Sequence, residues 1–175
     1  MILLFIESKY GSEIINDSAR YKRLIKKSKL EYKEHVIKVI ELFDILWKIN
    51  TPQSKIEMIK VINDSIKTGD ATAMGRLGRA YRDGKGVPRD INKCLEWMRL
   101  ASKSGSLAAS NELFDVLWNI GTPESEYEMI DVIQYAISKG DISARGRLAR
   151  AYRYGRGVSK DLNVAAEWMR QTVAK

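Results

Sequence analysis

At 175 residues with 45% apolar content, the chain is long enough to bury one core without covalent staples, and disorder along its whole length is excluded by composition. Its single cysteine rules out an intrachain disulfide, and the opening MILLFI is too short an apolar run for a secretory signal or a spanning helix, so the chain reads as soluble and cytoplasmic. A formal net charge of +8 favours an acidic partner but does not choose between protein, polyanion and membrane surface.

Residues 1–34 read as an N-terminal segment or cap. Ser12 to Ser28 has helical character, with Ile14, Ile15, Ala19, Leu24 and Ile25 as contact residues, and MILLFI either tucks against it or forms a short extended piece. Arg20 to Lys29, RYKRLIKKSK, holds six positive and no negative charges. Such a run is by default a solvated helix face; its alternative is contact with an anionic membrane surface or an acidic protein, with nucleic acid disfavoured. His35, the only histidine, sits in EYKEHVIK at a partly exposed helical position and leaves no two-histidine metal or acid/base chemistry.

Punctuation is clear from there on. Thr51-Pro52 and Thr122-Pro123 each place a capping hydroxyl before proline at the first helical position, where the missing N–H costs nothing. Gly69-Asp70 and Gly140-Asp141 each end one helix and cap the next across a turn of about two residues, which makes antiparallel neighbours. The spacing predicts helices over Ala71 to Asp83, Asp90 to Lys103, Ile142 to Tyr154 and Asp161 to Ala174. On the first, Ala73, Leu77, Ala80, Tyr81 and Gly84 share the packed side, and Gly75 and Gly78 allow close approach of a neighbour. The connecting DGKGVPRD and YGRGVSKD supply positive-φ glycines, an inward Val87 or Val158, and Asp90 or Asp161 as the next N-cap. They lack the P-loop spacing and its lysine-serine pair, so the turn reading stands over phosphate binding. No run alternates with period two, so no sheet is expected.

Underlying this is a duplication. Glu41 onward, ELFDILW, returns as ELFDVLW from Glu112, an offset of 71 residues, and about 35 of 64 aligned positions are identical. Repeated units bury a continuous core by stacking, which predicts an extended surface more readily than an active-site cleft.

Ala73, Leu77, Gly78, Tyr81, Gly84, Gly86, Val87, Asp90, Trp97, Ala101 and Gly105 resemble the pattern of Sel1-like repeats, and Ala144, Leu148, Tyr152, Gly155, Gly157, Val158, Asp161, Ala166 and Trp168 repeat it, departing at Ala149 and Thr172. The resemblance implies an all-α fold: a right-handed α/α superhelix, similar to tetratricopeptide repeats, of about four helix pairs plus an N-terminal helical segment. Its first helices would line a concave side. The solenoid would cover residues 35–175, with degenerate units at 35–69 and 106–140, which carry T-P in place of the glycine turn, and typical units at 70–105 and 141–175.

Chemistry-bearing constellations are poor. Cys94 is matched by Ala165, as befits a small buried position rather than a nucleophile. Glu96 with Glu167 and Asp44 with Asp115 recur as structural or surface carboxylates, not as a converging pair. Trp47 with Trp118, Trp97 with Trp168 and Tyr81 with Tyr152 recur, and they read as inter-helix core rather than base-stacking platforms, Trp97 and Trp168 above all. No catalytic, cofactor-binding or metal-ligating residue is expected. The candidate site is a pair of stripes, Arg76, Arg79, Arg82 and Arg147, Arg150, Arg153, which at about 100° per residue point away from the packed side. On the concave surface that the resemblance implies, they would grip acidic groups of a protein partner; the alternative is solvation or pairing with carboxylates of adjacent helices. The best reading is a non-catalytic protein-interaction scaffold or adaptor. Its rivals are an accessory docking domain of a larger cell-envelope or polysaccharide-synthesis enzyme, which an array stopping inside a unit would fit, and a polyanion-binding module.

Overall fold

Capping residues, prolines and glycines cut the described chain, residues 18–173 of a computed structural model, into eight helices and no strand. They are α1 (Ser18–Ile49), α2 (Pro52–Lys67), α3 (Ala71–Asp83), α4 (Ile91–Lys103), α5 (Leu107–Ile120), α6 (Pro123–Ser138), α7 (Ile142–Tyr154) and α8 (Leu162–Val173). The expectations for MILLFI, for the start of the Ser12 helix and for the side chains of Arg20 to Lys29 lie outside the described residues. The described residues thus form an all-α fold. α1 runs unbroken past residues 34–35, so the N-terminal segment and the first expected unit share one helix.

By compactness the chain divides between Cys94 and Leu95, within α4. In the first unit, Phe43 and Leu46 of α1, Met58 and Ile62 of α2, and Ala73, Leu77 and Ala80 of α3 are all buried. In the second, Leu113, Phe114 and Leu117 of α5, Met129 and Ile133 of α6, and Ala144, Leu148 and Ala151 of α7 repeat that core. Each large side chain so buried contributes about 1.5–3 kcal/mol. The apolar stripe expected on Ala71–Asp83 is therefore the packed one, with Tyr81 at its half-buried edge.

The caps are built alike in both units. Thr51 Oγ1 accepts from the Ser54 N–H at 3.2 Å and Thr122 Oγ1 from that of Ser125 at 3.2 Å, with proline next in each case. Asp70 Oδ1 accepts from the N–H groups of Thr72 and Ala73 at 2.8 and 3.3 Å, while Oδ2 takes the Ser65 hydroxyl at 2.7 Å. Asp141 caps α7 through the Ser143 N–H at 2.9 Å and also takes the Ser143 hydroxyl and the Asn111 amide. Burial would raise the Asp141 carboxyl, but these hydrogen bonds outweigh it and hold the group below the usual carboxylate range. After α1 and α5 the chain enters the left-handed region at equivalent positions, using Asn50 (φ 56°) in the first copy and Gly121 (φ 70°) in the second.

The glycine turns do more than reverse the chain. Gly86 has φ 77° and Gly157 φ 68°; the first is pressed onto α2 and the second onto α6. A Cβ at Gly86 would stand 2.9 Å from the Lys55 carbonyl oxygen and 2.8 Å from Ile59; at Gly157 it would overlap the Glu126 carbonyl oxygen and stand 2.8 Å from Ile130. Lys55 and Glu126, like Ile59 and Ile130, are 71-residue equivalents, so this seating belongs to the repeat.

Gly140 also has positive φ (87°), yet nothing lies within 4 Å of a Cβ placed there. Gly140→Ala should therefore cost only the backbone strain, about 1–2 kcal/mol, whereas Gly157→Ala should cost roughly 2 kcal/mol more through overlap with α6. Denaturant melts of the two variants test this; equal losses would show that the seating contributes nothing.

Candidate functional site

The arginine stripes start as a matter of helical register and end as different chemistries. In the first unit Arg76 reaches from α3 to α1, where Asp44 takes it at 2.9 Å, and its guanidinium lies 5.0 Å from the Phe43 ring centre. Only 17% of the Arg76 side chain is exposed, so it serves as a strut between helices. Arg82 forks onto its neighbour Asp83 at 2.8 and 3.1 Å, and Arg79 is half-buried.

In the second unit Arg147 repeats the strut, reaching from α7 to Asp115 on α5 at 2.7 Å. Arg150 stands 3.7 Å from the same carboxylate, keeps 44% of its side chain exposed, and stacks 3.9 Å from the centre of the Trp118 ring. Arg153 is exposed and lies 5.4 Å from the Tyr154 ring centre. A cleft of about 470 Å³ between α7 and α8 is lined by Arg150, Arg153, Tyr154, Leu162 and Met169.

Trp118 is the centre of this arrangement, and register alone did not single it out. It is 9% exposed, packs beside Phe114 at 5.7 Å, meets Tyr154 edge-on at 5.9 Å, and carries a second guanidinium, Arg156, at 4.3 Å. Cations over indole faces are worth about 0.5–2 kcal/mol each. Arg156 also donates to Glu126 at 2.6 Å, and the Gly157 N–H donates to the other oxygen of that carboxylate at 3.2 Å, so the turn is clamped to α6. In the first copy Lys55 and Lys85 hold the matching positions, and two cations cannot form this clamp. Lys85 instead approaches the Trp47 ring at 4.3 Å and the Trp47 carbonyl at 3.4 Å. Arg145 is another departure from the repeat: where the first copy has buried Met74, it donates to the Gln171 carbonyl at 2.9 Å and ties α7 to α8.

The tryptophans need a correction. Trp97 and Trp168 are half-buried, not core. The buried stripe of α4 runs through Cys94, Met98 and Ala101, and Trp97 flanks it; the tryptophan that reaches burial is Trp118 on α5. Cys94 is fully buried, as its match to Ala165 implies. His35 is exposed, and among the described residues no group of three or more His, Cys, Asp or Glu side chains could hold a metal ion. Asp44 and Asp115 are used up as struts. No helix of the described residues is long and apolar enough to cross a membrane.

Residues 71–106 and 142–174 match the family model for the Sel1 repeat, and these two stretches are Sel1 repeats. Among solved structures, the chain is similar to a Sel1 repeat protein from Oxalobacter formigenes, with 24% identity, a TM-score of 0.60, and coverage of 71% of this chain and 58% of that one. It is also similar to a protective antigen of uropathogenic Escherichia coli displaying an SLR fold, with 19% identity, a TM-score of 0.59, and coverage of 97% of this chain and 44% of that one. At these identities the likeness is one of fold, and the chain spans only about half the length of either protein.

Trp118→Ala should cost about 3–5 kcal/mol by removing a buried ring and its cation contacts, whereas Trp168→Ala, half-buried, should cost about 1–2 kcal/mol. Equal losses in chemical denaturation would contradict the assignment of Trp118 as the centre. Asp141 yields a pH test. Its folded pKa is depressed, so its contribution to stability is complete above the unfolded carboxylate value of about 3.9 and fades as pH falls through the lower folded value. Asp141→Asn should flatten that part of the acid limb of a stability-versus-pH curve; an unchanged limb would remove Asp141 from it.

Proposed function

We propose that this Sel1-repeat chain is a cytoplasmic, non-catalytic protein-interaction scaffold whose arginine stripes receive an acidic segment of a protein partner. Sel1 repeat proteins generally act as interaction scaffolds, which supports the class of function. The observation that carries the site is the division of labour along the second stripe: Arg147 is spent as a strut on Asp115, as Arg76 is on Asp44, while Arg150 and Arg153 line an open cleft with apolar Leu162 and Met169. Planar guanidiniums beside apolar walls suit a peptide that alternates carboxylates with hydrophobic residues. The stacking of Arg150 on Trp118 fixes one of them in place, which lowers the entropy lost on binding.

The same cationic surface would serve a polyanion, and an accessory role beside a cell-envelope or polysaccharide-synthesis enzyme would use the same docking chemistry. Salt separates the polyanion reading, because its affinity should fall steeply and linearly with log salt. Affinity capture from the native cell with mass spectrometry, comparing the natural protein with Arg150→Glu/Arg153→Glu, tests the site. The variant should lose the retained acidic protein by at least about tenfold while remaining folded. Undiminished capture would place the binding surface elsewhere.

A further inference from the structure

The second unit contains a junction whose two faces recur, uncovered, at opposite ends of the described chain. Where α4 gives way to α5 and α6, Met98 and Ala101 are fully buried, and so are Leu113 and Val116 of α5, at 1% and 5% exposure. Ser102 Oγ meets Ser110 Oγ at 2.7 Å. Arg99 forks onto Glu128 of α6 at 2.6 and 2.7 Å.

Each of these residues has a counterpart 71 positions away. On the α8 side the equivalent of Met98 is Met169, 50% exposed, and that of Ser102 is Val173, 76% exposed. On the α1 side Leu113 and Val116 become Leu42 and Ile45, exposed at 37% and 55%. The polar pair Ser102 and Ser110 is replaced on both faces together, by Val173 and Val39, so a hydroxyl pair becomes an apolar pair. The charged pair keeps its signs: Arg99 corresponds to Arg170 and Glu128 to Glu57, both exposed. Among the described residues both faces therefore present apolar side chains at the positions that are buried within the junction.

We propose that a second copy of the chain docks head to tail, its α1 and α2 packing on α8 as α5 and α6 pack on α4. Arg170 of one copy then pairs with Glu57 of the next, Val173 meets Val39, and Met169 is covered by Leu42 and Ile45. α4 and α5 are joined by a three-residue turn at residues 104–106, so the part of α1 before residue 36 extends past the junction rather than into it. The contact is heterologous: each copy offers one head and one tail, and association continues into open filaments unless the rotation closes a ring. The inference goes beyond the acidic-partner reading and shares one residue with it, Met169, which also lines the α7–α8 cleft.

Sedimentation velocity of the full chain over a range of concentrations tests this. The natural protein should grow past a dimer as concentration rises. Ile45→Glu blocks the head and Met169→Glu blocks the tail, both at exposed positions, so each variant alone should be monomeric and an equimolar mixture should form a one-to-one heterodimer through the single intact junction. Glu57→Arg and Arg170→Glu should each weaken association at least about tenfold, and the two combined in one chain should restore it. A natural protein that stays monomeric overturns the proposal. So does a dimer formed by either blocked variant alone, which would mean a symmetric contact, or a mixture that stays monomeric. Loss of acidic-partner capture by Arg150→Glu/Arg153→Glu with the heterodimer test failing would leave the partner reading standing; the reverse would leave the junction standing.

Discussion

Both units depend on a glycine pressed against a carbonyl. Gly86 on Lys55 and Gly157 on Glu126 bring the turns after α3 and α7 onto the backbones of α2 and α6, at a distance where no side chain fits. Close-packed interiors transmit such a constraint, because an atom out of place cannot be absorbed by free volume. With the turn seated, the residue before each glycine is aimed at a tryptophan of the unit's first helix, Lys85 at Trp47 and Arg156 at Trp118. The strut arginines then span the remaining gap, Arg76 to Asp44 and Arg147 to Asp115.

On this shared frame the two copies have diverged in charge rather than in shape. Both use a cation over an indole, but only the second closes the arrangement with a carboxylate, Glu126, and there Trp118 also carries the Arg150 guanidinium. An aromatic ring carrying two guanidiniums is a rigid platform, and rigidity at a cationic surface favours recognition of one geometry over non-specific attraction. The Arg99–Glu128 fork makes a comparable contribution between α4 and α6, and its hydrogen bonds raise the Arg99 guanidinium further above its ordinary value.

The fold was legible because its signals are local. Thr51-Pro52, Gly69-Asp70 and the glycine turns act within a few residues of themselves, and the helices Ala71–Asp83 and Ile142–Tyr154 begin and end where those signals place them. The stripe of Ala73, Leu77 and Ala80 followed from helical period alone. The site was less legible, because its partners come from other helices. Nothing in the spacing of Arg76 names Asp44, 32 residues earlier, as its partner, nor does the sequence show that Trp118 rather than Trp97 is the buried indole. A hint was available in the repeat itself. The positions where the copies disagree in charge, Lys55 against Glu126 and Met74 against Arg145, mark contacts that only one unit makes. The equivalence of Asp44 with Asp115 and Arg76 with Arg147 was a second, since paired recurrence is what a strut requires.

The missing clamp in the first copy also bears on how the molecule comes apart. Its turn is held by glycine seating, by Lys85 on Trp47 and by Arg89 on the Arg82 carbonyl, without a carboxylate to bind the loop to α2, whereas the second copy has Glu126 gripping both Arg156 and the Gly157 amide. Native proteins open in cooperative pieces whose free energies differ, and the piece with fewer anchoring contacts opens first. The turn of residues 84–90 is thus the looser of the two glycine turns against the helix it sits on. Its release would uncover Met58 and Ile59 to solvent while the second unit stays closed, giving the protein a partly open species with a defined sticky patch rather than an all-or-none collapse.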